Sequence, residues 1–292
     1  MRVFDRRLVR LRRQRLAVDM ADAGFLIREV AERLLDRLDD IRRPFGRALV
    51  LGAPAGLLET ALARRPGTRL LAAVDDTEAM LAGPGLRIVA DAELLPFAPD
   101  RFDLVLSLMV LHWINDLPGT LAQLRGCLAP DGLLLAAMPG GDTLTELRQV
   151  LTQAELECEG GVSPRVSPFA DVRDAGSLLQ RAGFALPVVD LDRITVSYGD
   201  PLRLLRELGR MGEGNALLRR RPGPLRRATL ARACVLYQER FGDAAGRVPV
   251  TFDIVFMAAW KPDPSQQQPA RRGSGQVRLA DALRVPGAGG RT

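Results

Sequence analysis

The sequence predicts an α/β protein: a doubly wound, mostly parallel seven-stranded sheet, with a helical region ahead of it and a helical insertion between its last two strands. Three observations carry this reading. Five short, almost continuously apolar runs recur between residues 47 and 138, most of them separated by segments of helical periodicity. Two more strand-like stretches come late, at 185–198 and 248–260. Between those two lies an Arg-rich segment with helical spacing.

Residues 1–45 form the N-terminal helical region. In RRLVRLRRQR (Arg6–Arg15), Phe4, Leu8 and Leu11 recur at helical spacing, so one face packs while the arginines stay wet. An amphipathic helix is expected over 24–43, with Ile27, Val30, Leu34, Leu38 and Ile41 on one stripe. The core spans 46–199. Its strands are RALVLG (47–52), TRLLAAV (68–74), LRIVA (86–90), FDLVLS (102–107) and GLLLAAM (132–138), followed by ALPVVDLDRITVSY (185–198). A helical insertion over 200–245 breaks at RRRPGPLRR. The last strand lies within 246–261, where Phe252, Ile254 and Phe256 alternate; 262–292 reads as a loose Pro/Gln/Gly tail.

The chain has 292 residues, 47% hydrophobic and 26% charged, enough for a sizeable core. Collagen-like, fully disordered and disulfide-scaffold classes are excluded. Cys127, Cys158 and Cys234 are odd in number and far apart, which argues for a reducing compartment and a cytoplasmic location. Cys127 and Cys234 sit on apolar helix faces. His112 is the only histidine, so an iron site of two histidines and a carboxylate cannot be assembled from this chain, and no metal site is expected. No run reaches the roughly 18 apolar residues of a membrane helix, and the basic N-terminus lacks the apolar stretch of a signal peptide. The net charge is +6, with Lys261 the only lysine. Such a surface attracts nucleic acid, anionic lipid or an acidic partner. No nucleic-acid recognition motif accompanies it, so nucleic acid is not the expected partner. Peripheral membrane contact through the first helix is compatible with the charge.

In an open parallel sheet, ligands bind beyond the carboxyl ends of the strands. The first strand ends in the turn Gly52-Ala53-Pro54-Ala55-Gly56, where glycine permits close approach of backbone to ligand. The second ends in Asp75, at the distance expected of a ribose-binding acid. The third ends at Ala90-Asp91-Ala92, where Asp91 can accept from an exocyclic amine. Gly52, Ala53, Gly56, Asp75, Asp91 and Ala92 are therefore the candidate binding residues for an adenosine-type ligand.

VDDTEAML, ADAELLPF, RFDLVLSLMVLHWINDLP and LAPDGLLL, in that order, resemble the signatures of class I S-adenosylmethionine-dependent methyltransferases, a Rossmann-like fold. VFDRRLVRLRRQR, GGDTLTELRQVLTQAE, EGGVSPRVSPF, MGEGNA and VPVTFDIVFMAAW are similar to the complex I assembly factor 5 family, over nearly the whole chain. That resemblance implies arginine hydroxylation of a respiratory complex I subunit within a methyltransferase fold, with S-adenosylmethionine as the fold's cofactor. Two residues depart from the first motif, acid-Leu-Gly-Cys-Gly-x-Gly. Val50 stands at the acidic position and Pro54 at the central glycine. Proline has no N–H to offer a ligand and its ring takes up space, so the amino-acid end of the cofactor loses support.

His112 follows the fourth strand near the place where substrate would meet cofactor; it either moves a proton or packs beside Trp113. Asp142 is expected to N-cap the next helix, with Glu146 in its first turn, and the resemblance alone gives Asp142 a substrate role. Glu155, Glu157 and Glu159 either face an arginine-bearing substrate or form a solvated helix end. Met211, Gly212, Glu213 and Asn215 read as a break in the insertion and the edge of a lid. Three functions stay open: a protein that modifies or escorts a complex I subunit, a methyltransferase of a small molecule or protein, and a non-catalytic assembly protein.

Overall fold

The alternating apolar runs build a seven-stranded sheet in the order β3-β2-β1-β4-β5-β7-β6. The computed structural model describes residues 2–17, 24–52, 54–267, 273, 274 and 277. Residues up to Pro262 form one unit and those from Asp263 another. The strands are β1 (Arg47–Leu51), β2 (Leu70–Asp75), β3 (Leu86–Val89), β4 (Phe102–Leu108), β5 (Leu128–Gly140), β6 (Ala185–Tyr198) and β7 (Val248–Trp260). The first five pair in parallel, and β7 enters antiparallel between β5 and β6. The order therefore reverses beside β1, where β2 and β4 leave it in opposite directions and a crevice opens.

Strand periodicity sorts the core into two layers. Ala48 and Val50 of β1, with Leu104 and Leu106 of β4, face α2 (Phe25–Asp39), α3 (Leu57–Ala63) and α5 (Thr145–Glu159). Leu49, Leu51 and Val105 face α4 (Leu117–Cys127) and α6 (Val172–Arg181). The central strands are buried on both faces, which is why their runs are apolar throughout rather than alternating. The insertion between β6 and β7 supplies α7 (Pro201–Arg210) and α8 (Arg227–Phe241), both packed on the first layer. There the Tyr237 hydroxyl donates to the Pro249 carbonyl (2.9 Å).

Three expectations need correction. The helix expected over 24–43 ends at Asp39, and Ile41 packs from the turn beyond it. Among the described side chains of α1 (Arg6–Leu16), Val9 and Arg13 are buried, with Phe4 just ahead, whereas Leu11 is exposed. An arginine lies on the inner face because carboxylates meet it there. Asp142 does not cap α5: the residue at that position is Leu144, in a left-handed conformation. Asp142 instead accepts from Arg193 (3.0 Å), and Glu146 accepts from the backbone and hydroxyl of Thr251. Most of the expected tail lies outside the described residues.

Candidate functional site

The turn after β1 is tight because both of its glycines hold positive φ. At Gly52 (φ 75°) a Cβ would stand 2.8 Å from the Leu108 carbonyl oxygen; at Gly56 (φ 66°) it would stand 2.5 Å from the Gly83 backbone. Pro54 lies buried in the turn, and Val50 is a core residue with no exposure. Ala53 lies outside the described residues. Asp75 ends β2 and pairs in register with Val89, so Asp91 follows on the adjacent strand end. Ala92 is buried beside it. The two carboxylates thus share one rim, as the sequence requires.

Helix α1 lies along that rim. Arg6 and Arg13 are seven residues apart, two helical turns, and so project from one face about 10 Å apart. Arg13, 9% exposed, donates to Asp75 at 2.6 Å and approaches Asp76 at 3.8 Å. Arg6 pairs with Asp91 and with Glu93 (3.3 Å). Burial alone would lower the Arg13 pKa, but Asp75, Asp76 and Glu213 outweigh it and raise the guanidinium above its ordinary value. Burial pushes Asp76 up to about 6, with Arg13 opposing and Asp75 adding. The N-terminal strap is tied down further: the Asn115 carboxamide accepts from the amides of Val3 and Phe4, and Asp5 N–H donates to Ala216 in the insertion.

The rim is polar beyond these pairs. Both carboxylate oxygens of Glu59, the hydroxyls of Thr77 and Ser107 and Nδ1 of His112 are buried with no protein partner. Burial raises the Glu59 carboxyl to about 7. His112 sits against Trp113 (ring centroids 4.9 Å apart), and its Nε2 lies 3.1 Å from the Glu213 carboxylate. The histidine therefore both packs and bridges the β4 end to the insertion. In the sequence that carboxylate reads as part of a helix break and lid edge, with no sign of a histidine partner.

Beside the charged rim opens a cavity of about 420 Å³. Leu144, Leu147, Leu151, Leu208, Leu230 and Phe252 make much of its wall, and Met211, Glu213 and Asn215 line its edge. Three of the four residues read as a lid edge are thus at a mouth. The three glutamates in the last turns of α5 do not await a partner. Glu155 accepts from Ser163 and Arg165, Glu157 from Arg232, and Glu159 from Arg221 and Thr229. Burial would raise Glu155, but the Ser163 and Arg165 donors hold it below its ordinary range.

The residues fit the nucleoside half of S-adenosylmethionine through two carboxylates on neighbouring strand ends, while Gly52 and Gly56 are demanded by close backbone contacts that shape the turn. The fit requires Arg6 and Arg13 to yield those carboxylates. The amino-acid half meets Pro54 where an amide would serve.

Strand order and crevice define the class I methyltransferase fold, and residues 49–136 match the family model described as a methyltransferase domain. A solved structure described as a candidate methyltransferase from Bacillus halodurans superposes with a TM-score of 0.56 at 16% identity, covering 80% of this chain and 99% of that one. The chain belongs to the family of arginine-hydroxylase NDUFAF5. It is 41% identical to the mitochondrial protein of that name from Danio rerio, over 98% of this chain and 91% of the relative. It is also 36% identical to the malonyl-[acyl-carrier protein] O-methyltransferase of Halorhodospira halophila, over 94% of each.

Proposed function

We propose that this chain modifies or escorts a subunit of respiratory complex I, as a cytoplasmic counterpart of the arginine hydroxylases it resembles. The observation that carries this is 41% identity maintained over 98% of the chain, so the resemblance includes the N-terminal strap and the insertion as well as the sheet. Asp75 and Asp91 hold the hydroxyl and amine groups of a nucleoside, beside the tight turn that Gly52 and Gly56 shape. S-adenosylmethionine bound there supplies an activated methyl group. His112 is held by Glu213, a residue of the cavity's edge. Three free cysteines suit a reducing compartment.

The test is recovery of the full-length chain from its own cells with whatever it holds. A complex I subunit should co-purify, and mass spectrometry of that subunit's arginines, with and without the gene, separates the outcomes. Gain of oxygen marks hydroxylation, gain of a methyl group marks methylation, and an unmodified bound subunit marks escort. Absence of any complex I subunit overturns the reading.

A second reading, methyl transfer to a small molecule or protein, is favoured by the apolar cavity beside the rim and by identity to the O-methyltransferase. Such transfer needs orientation and exclusion of water more than an acid–base pair.

A further inference from the structure

The apolar cavity has a neighbour of opposite character. Segment 164–168 forms a partition: Arg165, Val166 and Ser167 line the 420 Å³ cavity, while Pro164, Val166 and Pro168 line a second cavity of about 380 Å³. Val166 is common to both. The second cavity has an apolar floor with Val3 and Leu217, and arginines at Arg2, Arg148 and Arg219. Most arginines at the nucleoside rim and along α5 are matched by carboxylates. None of these three has an ion-pair partner among the described residues. The partition itself is anchored, since Arg165 is bound to Glu155 and Arg148 donates to the Ser167 carbonyl (3.2 Å). Two prolines stiffen it further.

We propose that the two cavities form one binding site for an anionic amphiphile: a single molecule whose phosphate or carboxylate head rests among Arg2, Arg148 and Arg219 and whose aliphatic tail reaches past Val166 into the leucine-lined cavity. Guanidinium groups match oxyanions bidentately, and the anchored partition means that little ordering cost attends binding. The combined volume is that of a small-molecule site. No aromatic side chain lines the arginine cavity, so nothing there would stack a base, which separates this site from a single-stranded nucleic-acid groove. The proposal goes beyond the complex I reading and does not depend on it.

Trp113 lines the apolar cavity, which gives the test an internal reporter. The full chain carrying Trp260→Phe, so that Trp113 alone emits, is titrated with dodecyl phosphate below its micellar concentration, and with dodecanol, inorganic phosphate and dodecyltrimethylammonium. Dodecyl phosphate is expected to shift the Trp113 emission and to bind at least tenfold tighter than the other three. Arg148→Gln with Arg219→Gln should remove that tenfold preference over dodecanol while circular dichroism stays unchanged. Should the double substitution perturb folding, Arg219→Gln alone, at an exposed position, should still weaken dodecyl phosphate more than dodecanol. Equal binding of the cationic amphiphile, an unchanged preference in the variants, or binding only to anionic phospholipid vesicles would overturn the proposal. Each of these readings is made without any complex I subunit, so either proposal can fail alone.

Discussion

Two neighbouring regions at the carboxyl edge of one sheet handle burial in opposite ways. Along the β2 and β3 ends, a buried carboxylate (Asp75) and a half-exposed one (Asp91) are each met by an arginine of α1. Under the insertion, a cavity of about 420 Å³ stays open behind leucines. The difference follows from cost. A buried carboxylate without a partner is penalised by several kcal/mol, which Arg13 offsets at Asp75 and which Glu59 meets instead by holding its proton. An apolar wall loses only contacts when left open, and it can await a ligand.

The comparison sharpens most at Arg13. Arg13→Ala removes the guanidinium from Asp75, whose side chain is 1% exposed and keeps the Thr77 amide, and should cost about 3–5 kcal/mol in urea unfolding. Arg6→Ala, beside a half-exposed Asp91, should cost under about 1 kcal/mol. Similar losses for the two would erase the distinction drawn between the dry and wet ends of the rim.

Next in size is Glu59, whose folded pKa lies at about 7 against an ordinary 4.5. A raised carboxyl pKa means that the folded state keeps a proton the unfolded state has released. Stability from this group therefore falls as pH rises from about 4.5 to about 7 and then levels. Glu59→Gln should flatten that slope and gain about 2–3 kcal/mol at pH 8. Glu155 runs the other way. Its lowered pKa gives stability that is present above the ordinary glutamate range and is lost as acid titrates it through its folded value. Glu155→Gln should cost about 1–3 kcal/mol at pH 7 and progressively less as the pH falls below the ordinary glutamate range, read from unfolding curves across that range. The smallest effect belongs to Asp142→Asn. This exposed partner of Arg193 leaves the Arg193–Asp253 pair intact, so the urea midpoint should move by less than about 0.5 kcal/mol equivalent.

The sheet was legible because short continuous apolar runs and turn glycines are local signals, and each of the seven expected strands has its counterpart in the fold. Asp75 and Asp91 were legible for the same reason: a strand end is a local event. What escaped local reading was every long-range ion pair. Arg13 was placed outside with the other arginines because its partner lies 62 residues away. Asp142 looked like a helix cap because Arg193, 51 residues on, leaves no mark near it. One signal was available: Arg6 and Arg13 share a helix face, and two acids wait at adjacent strand ends. Pairing those spacings would have laid α1 across the rim.

The proposed nucleoside seat consists of Asp75 and Asp91, each paired with an arginine of α1. Calorimetric titration of S-adenosylhomocysteine into the wild-type chain, Arg6→Ala and Arg6→Ala with Asp91→Ala tests it most directly. The account predicts that Arg6→Ala binds several-fold tighter than wild type and that the added Asp91→Ala cancels the gain. A folded Arg6→Ala protein that gives no heat, or the same affinity with and without Asp91, would contradict it.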